Sequence, residues 1–342
     1  MLTALVASTL FSCSPAENSD GGGDPKNIPQ SAVTVGYQGM LNPWKAAIHE
    51  KEFEKVTGRE LDWRKFSSGS EVISAMASGD VQLAVAGSSP IATAMSRGMD
   101  VELVWVLEAI ENNEALVARK DTGIKTLQDL KGKTIGVPFA STTHYHLLFA
   151  LEHNGMSTKD VTLLNLQPDA IAASWAQDRI DAAFVWSPVL DQLKKNGEVI
   201  LTSGELAALG RPTFDGIMAQ KDFGEKNPEF MAKFLKVIAD RDASYRDHPE
   251  QWTVDSTAVK AVSQFSGATP EDVVNVMQQY DFPTLEAQVS ERWLGGTSTT
   301  GAPQALADTS KFLKAQQSIS EVLPDYAPLV NPAYARAAMA LQ

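Results

Sequence analysis

Thr134–Tyr145 reads TIGVPFASTTHY, and its pattern decides the architecture. An apolar run from Ile135 to Phe139 breaks into Ala140-Ser141-Thr142-Thr143-His144. Tyr145, Leu148, Phe149 and Leu151 then recur at helical spacing. That order is strand, hydroxyl-rich turn, helix. The first N–H groups of a helix have no internal partner, and the positive end of its dipole lies there. With Ser and Thr added, such a turn is a seat for a small anion. Simple N-capping by Ser141 or Thr142 explains the same residues, because Ser and Thr are preferred caps.

The layout repeats in both directions. Upstream, Ala32–Tyr37, Leu61–Phe66, Val81–Ala86 and Val101–Ile110 read as strands, with helices over 43–56, 71–77 and 88–96. Downstream, strands are expected over 134–139, 161–166, 181–186 and 199–201, with helices over 126–130, 143–153, 168–177 and 188–195. Helical patterns follow over 223–247, 271–279 and 303–315. Alternation of this kind predicts parallel β-α-β units. Two doubly wound lobes of about 100 residues or more are the natural arrangement, with strand-end loops lining a crevice between them.

The chain has 342 residues, 44% hydrophobic and 21% charged, which suits two ordinary domains. Acidic residues outnumber basic ones 42 to 29, for a net charge of −13. A nucleic-acid partner is excluded on that balance, since it needs a basic face. The body contains no apolar run long enough to span a membrane. The single cysteine, Cys13, permits no internal disulfide. Residues 1–12 are apolar and small, Leu10-Phe11-Ser12-Cys13 resembles a lipoprotein signal, and SPAENSDGGGDPKN reads as a flexible tether. The segment lacks a basic start, which places the translation start upstream of Met1. Lipidation of Cys13 would then anchor a secreted protein; an ordinary signal peptide with an incidental cysteine is the alternative.

The residues expected at strand ends form a consistent set. From the first lobe come Tyr37, Gln38, Ser68, Ser88 and Ser89. From the second come Ser141, Thr142, Thr143, His144, Gln167, Trp186 and Asp215. They are neutral hydrogen-bonders, aromatics and one carboxylate, without Lys or Arg. That suits a ligand with a compact anionic end and a cationic end: helix N-termini and hydroxyls for the anion, Asp215 for the cation, Trp186 and Tyr37 as cation–π faces. Core packing of the aromatics and turn chemistry at Ser, Gly and Asp explain each residue singly. Catalytic and metal signals are poor. His144 and His146 diverge on a helix, and neither G-x-S-x-G, Walker nor G-x-G-x-x-G patterns occur. Glu108, Glu111 and Glu114 repeat every third residue and read as a linking strand or turn. No cofactor or metal is expected.

The segments VGYQ (35–38), DWRKFSSG (62–69), SGDVQLAVAGSSP (78–90), VPFASTTHYHLL (137–148), LNLQPDAIAASW (164–175), DAAFVWSP (181–188) and RPTFDG (211–216) carry a resemblance. The chain resembles the taurine-binding members of the sulfonate/nitrate/thiamine-precursor substrate-binding family of ABC importers, from about Thr34 to Tyr326. The resemblance implies an α/β, two-lobed periplasmic binding protein of type 2. Each lobe would be a doubly wound sheet with helices on both faces, and the ligand cleft would lie between them. Residues 1–13 would be the signal with its lipidation cysteine and 14–31 the tether. One lobe would comprise 32–116 and 217–342, the other 117–216. It further implies a sulfonate held by the Ser-Thr-Thr and Gly-Ser-Ser-Pro turns, an amine at Asp215 beside Trp186, and a monomer that delivers ligand to an inner-membrane permease. Gly39–Trp44 is bulkier than the family pattern, which bears on the entrance and on ligand preference. Other readings are a binder of another alkanesulfonate, nitrate or a thiamine pyrimidine precursor, a sensor domain, and an enzyme on a related two-lobed fold.

Overall fold

The computed structural model describes residues 32–341, so Cys13 and the tether lie outside the described residues. Ten strands form two five-stranded sheets. The first holds β1 (Val33–Tyr37), β2 (Leu61–Lys65), β3 (Leu83–Gly87), β4 (Val101–Ala109) and β10 (Phe214–Gln220), in the order β2-β1-β3-β10-β4. The second holds β5 (Glu114–Arg119), β6 (Thr134–Val137), β7 (Thr162–Asn165), β8 (Ala182–Trp186) and β9 (Gly197–Thr202), in the order β7-β6-β8-β5-β9. The β1, β3 and β4 runs are buried almost throughout, as expected of strands covered on both faces.

Each sheet also contains one strand that the alternation did not reveal. β10 runs antiparallel to both β3 and β4, and β5 runs antiparallel to both β8 and β9. These are the strands on which the chain arrives after crossing between sheets, once through Ile110–Asn113 and once through the segment ahead of Phe214. Their registers fix the chemistry between the sheets. Asp215 pairs with Gly87 on one side and Glu108 on the other, while Glu114 pairs with Trp186. Asp215, expected on the second lobe, is therefore presented by the first sheet, because β10 inserts between β3 and β4.

The strand-to-helix turns fall where the hydroxyl-rich segments predict. Helix α1 (Gly69–Ala77) follows β2, α2 (Ser88–Ser96) follows β3, and α3 (Thr142–His153) follows β6. Helix α4 (Pro168–Ala176) follows β7 and α5 (Ser203–Ala208) follows β9. The helix expected over 43–56 is broken into Lys45–His49 and Glu52–Thr57, because Lys51 between them adopts a left-handed conformation at φ 52°. The long helix α6 (Pro228–Asp247) covers the first sheet. Its Phe230 and Phe234 meet Phe53 and Trp63 in one aromatic cluster.

Helix α7 (Gly301–Ala315) belongs to both cores. Ala302 and Leu306 sit in the core of the first sheet, whereas Phe312 and Leu313, two turns on, sit in that of the second. Phe312 meets Tyr145 and Phe149 of α3 edge-on, at 5.3 and 6.0 Å between ring centroids. The chain then returns to the first sheet, where the Tyr326 hydroxyl lies 2.6 Å from Ser96 Oγ. Among the described residues no helix is long and apolar enough to cross a membrane.

Because Phe312 is 8% exposed and joins one sheet's core to a helix rooted in the other, Phe312→Ala should destabilise the fold by about 3 kcal/mol. Chemical denaturation read by far-ultraviolet dichroism checks this.

Candidate functional site

Three helix N-termini meet at the crevice between the sheets. Gly69 opens α1, Gly87 precedes α2, and Ser141 and Thr142 open α3; all four line one cleft of about 390 Å³ with its mouth included. Gln38, Met40, Asn113, Glu114, Trp186, Asp215 and Tyr280 complete much of its wall. The approach of the two sides is close. A Cβ on Gly87 would stand 2.8 Å from Thr142 Cγ2 of the opposite lobe and 3.3 Å from Asp215 Oδ1, so glycine is required there by contact.

The expected site residues separate into three groups. Gln38, Ser141, Thr142, Trp186 and Asp215 line the cleft. Ser68, Ser88, Ser89 and Thr143 lie directly beside lining residues. Ser68 is buried with its Oγ 3.0 Å from Ser70 Oγ, and Ser88 Oγ accepts from the Phe214 N–H at 3.4 Å. Ser89 Oγ is buried without a hydrogen-bond partner. Tyr37, His144 and Gln167 do not line this cleft. Tyr37 packs edge-on against Trp63 and Phe265 in the first core. His144 stacks on Phe139 at 4.5 Å, and its Nδ1 accepts the Ala140 N–H. Gln167 caps α4, whose Pro168 lines a neighbouring recess that shares Trp186.

Within the Ser-Thr-Thr turn the hydroxyl groups are already committed. Ser141 Oγ donates to the Pro138 carbonyl at 2.6 Å and accepts the His144 N–H at 3.1 Å, a capping bond. Thr143 Oγ1 lies 2.7 Å from Ser141 Oγ, and Thr142 Oγ1 donates to Glu114. What remains in that turn for an anion is its backbone N–H groups.

Charged groups absent from the expected set enclose the cleft. Glu108 is fully buried, accepts from Asn42 Nδ2 at 2.9 Å, and faces Asp215 across the ladder. Burial raises both carboxyls; the neighbouring Asp215 pushes Glu108 up further, whereas the contact with Glu108 and the Lys45 charge hold Asp215 back, at about 6. Burial also carries Glu114 up to about 8, against the lowering effect of its bond from Thr142. Behind Gln38 and Met40 stands Lys45, wholly buried, donating to both their carbonyls; the Gln38 bond is 2.8 Å. Burial lowers its ammonium to about 7 against the attraction of Glu108 and Asp215. The wall thus holds a cation that the strand-end set lacked. Glu108 and Glu114 were legible as a three-residue repeat. The signal for their role is that a strand end, a crossover and a strand start place such a repeat on facing sheets. Lys45 gives no comparable signal, being one helical lysine among many. Asp242 of α6 adds a further buried acid whose two oxygens have no hydrogen-bond partner.

The pattern of the family described as NMT1/THI5 like matches residues 49–252. The chain is 38% identical to the taurine-binding periplasmic protein of Escherichia coli K12 over 87% of its own length and 91% of that protein. It is 28% identical to a putative aliphatic sulfonates-binding protein of Bacillus subtilis over 69% and 71%. Its fold matches the alkanesulfonate-binding protein of Xanthomonas axonopodis pv. citri bound to MOPS with a TM-score of 0.70 at 21% identity, covering 90% of this chain and 99% of that one.

Two outcomes follow from this geometry. Gly87→Ala should weaken ligand binding about tenfold or more, because the added methyl meets Thr142 across the cleft and crowds Asp215; calorimetry reads the difference. The second concerns pH. Glu108, Glu114, Asp215 and Asp242 all have folded pKa values above their unfolded ones. Each contributes stability that is complete below its unfolded value near about pH 4 and is lost as pH rises through its folded value. Asp242→Asn should therefore raise the melting temperature by several degrees at pH 7, with the gain shrinking toward pH 4. A gain independent of pH would show that Asp242 is not held neutral.

Proposed function

The chain belongs to the NMT1/THI5-like family, and from that premise we propose that it is the substrate-binding component of an ABC importer, capturing taurine between its lobes and delivering it to a permease. One observation carries the reading. The cleft sets the N-termini of helices from both lobes against the Asp215 carboxyl, with the face of Trp186 alongside. A sulfonate spreads one charge over three oxygens, so several backbone N–H groups can satisfy it without a buried arginine. The ammonium two carbons away then meets Asp215, and Trp186 offers an aromatic face to the same cation.

Charge matching supports the same ligand. A cleft holding Asp215, Glu108, Glu114 and a nearby Lys45 tolerates a zwitterion better than a net anion, since a zwitterion adds no net charge to a dry site. Amine-free alkanesulfonates and nitrate offer Asp215 no cation. Ligand capture would draw the two lobes together and present the surface that a permease recognises. On this reading the protein works outside the cytoplasmic membrane as a monomer, held there by a lipid on Cys13, and is not an enzyme.

The test is calorimetry with taurine, ethanesulfonate, β-alanine and nitrate, on wild type and Asp215→Asn. Taurine should bind wild type tightest. Asp215→Asn should cost taurine about 2–5 kcal/mol while sparing ethanesulfonate. Equal losses for both sulfonates, or none for taurine, would remove Asp215 from the ammonium and point to an alkanesulfonate or another anion.

A further inference from the structure

A chain of hydrogen bonds runs from the cleft to the second crossover. Glu114 Oε2 lies 3.1 Å from Ser203 Oγ, Ser203 Oγ lies 2.7 Å from His146 Nδ1, and His146 Nε2 lies 2.9 Å from the Arg211 carbonyl. Glu114, Ser203 and His146 are all buried. At the cleft end, Glu114 Oε1 accepts the Thr142 hydroxyl.

The direction of every bond follows from the Arg211 end. A carbonyl only accepts, so His146 Nε2 carries a hydrogen. A neutral imidazole has one N–H, so Nδ1 is an acceptor and must take the Ser203 hydroxyl proton. Ser203 Oγ then has only a lone pair for Glu114 Oε2, which must itself carry a proton. The alternative moves one proton: Glu114 ionised, imidazolium at His146, and the Ser203 hydroxyl reversed. The two forms hold the same number of protons and differ by a buried ion pair. Burial disfavours that pair at both ends, raising the acid to about 8 and lowering the imidazole to about 4.

We propose that this relay holds Glu114 as a neutral hydrogen-bond donor, making it a positioning residue that turns the Thr142 hydroxyl oxygen, as a lone-pair acceptor, toward the cationic end of the ligand. Thr142 spends its only proton on Glu114. Thr142 Oγ1 and Asp215 Oδ1 flank the same spot beside Gly87, at 3.4 and 3.3 Å from where a Cβ would stand. The spot itself is too crowded for a methyl-sized group, so an ammonium would reach the two oxygens from the cleft, which both residues line, and donate to each. The side chain of Thr142 is thereby removed from the anion seat, which is left to backbone N–H groups. The titratable groups around Glu114 are Asp215 of the first sheet, Tyr280 beyond the 270–277 helix, and His146 at the relay's far end. Because the last link is the Arg211 carbonyl, the orientation of Thr142 is tied to the segment by which the chain crosses back to the first sheet.

This inference rests on the taurine reading for its ligand but not for its protons. Infrared difference spectra of the full chain at pH 7 should contain the carbonyl band of a protonated carboxyl that Glu114→Gln abolishes; a band unchanged by that substitution overturns the proposal whatever the ligand proves to be. Glu114→Ala should lower taurine affinity about tenfold or more, and Glu114→Gln should rescue it, because an amide donates to Ser203 and accepts from Thr142 as the protonated acid does. Failure of Glu114→Gln to rescue, with its melting transition intact, would mean that Glu114 is ionised and pairs with the ammonium itself. Thr142→Val should weaken taurine about tenfold while leaving ethanesulfonate within about twofold. Equal loss for both would return the Thr142 hydroxyl to the anion.

Discussion

Several carboxyl groups converge on one cleft that water barely enters, and they cannot all be charged there. Everything at the centre of this molecule is arranged around that constraint. Glu108 and Asp215 are cross-strand partners in the first sheet, and Glu114 enters the second sheet six residues after Glu108. Ionising all of them would set like charges side by side in a medium where desolvation alone costs several kcal/mol per ion. The structure answers with neutral partners for Glu114, an amide for Glu108, and a buried ammonium at Lys45 behind the wall. A ligand that brings its own cation completes the balance, whereas one that brings only an anion does not.

The same constraint explains the topology's value. If the chain had linked its two sheets by parallel units alone, acids flanking the link would have pointed to unrelated places. The antiparallel β5 and β10 instead carry Glu114 and Asp215 into the sheets from the crossover side, next to Trp186 and Gly87. Two passages between the sheets thus bring Glu114 and Asp215 to the cleft, while the parallel strands bring helix N-termini to it. Helix α7 spans both cores.

Much of this was legible before any coordinates. Hydroxyl- and glycine-rich turns after apolar runs located α1, α2 and α3, because strand–turn–helix has a strong local grammar in Ser, Thr, Gly and Pro. β5 and β10 were not located, since EALVAR and FDGIMAQ lack the alternation and β-branched enrichment that mark strands, and their pairing is decided by distant segments. At the site, Asp215 and Trp186 stood out by type, but Tyr37 and His144 lie in packed aromatic contacts that their types equally predict. Lys45 and Tyr280 were invisible because nothing near them in the chain announces a ligand. Hardest to foresee was the direction of the hydroxyls. Ser141, Thr142 and Thr143 read as three donors, yet their protons go to Pro138, Glu114 and Ser141. Residue type gives donor capacity; only geometry shows where the proton is spent.

Strongly shifted carboxyls in a cleft are the usual mark of acid–base catalysis. Here the first cause of the shifts is burial. A general base needs a lone pair free to meet a substrate proton. Glu114 has one oxygen taken by Thr142 and the other by Ser203; Glu108 has one oxygen taken by Asn42 and is not among the residues that line the cleft. Their raised pKa values disfavour charge at the buried wall of the cleft. The one carboxyl left to face a ligand, Asp215, lies beside an aromatic face and opposite helix N-termini, where it can hold a cation at a fixed distance from an anion. Perturbed titration therefore locates the site, but the hydrogen bonds already made by each acid decide whether that site transforms its ligand or only selects it.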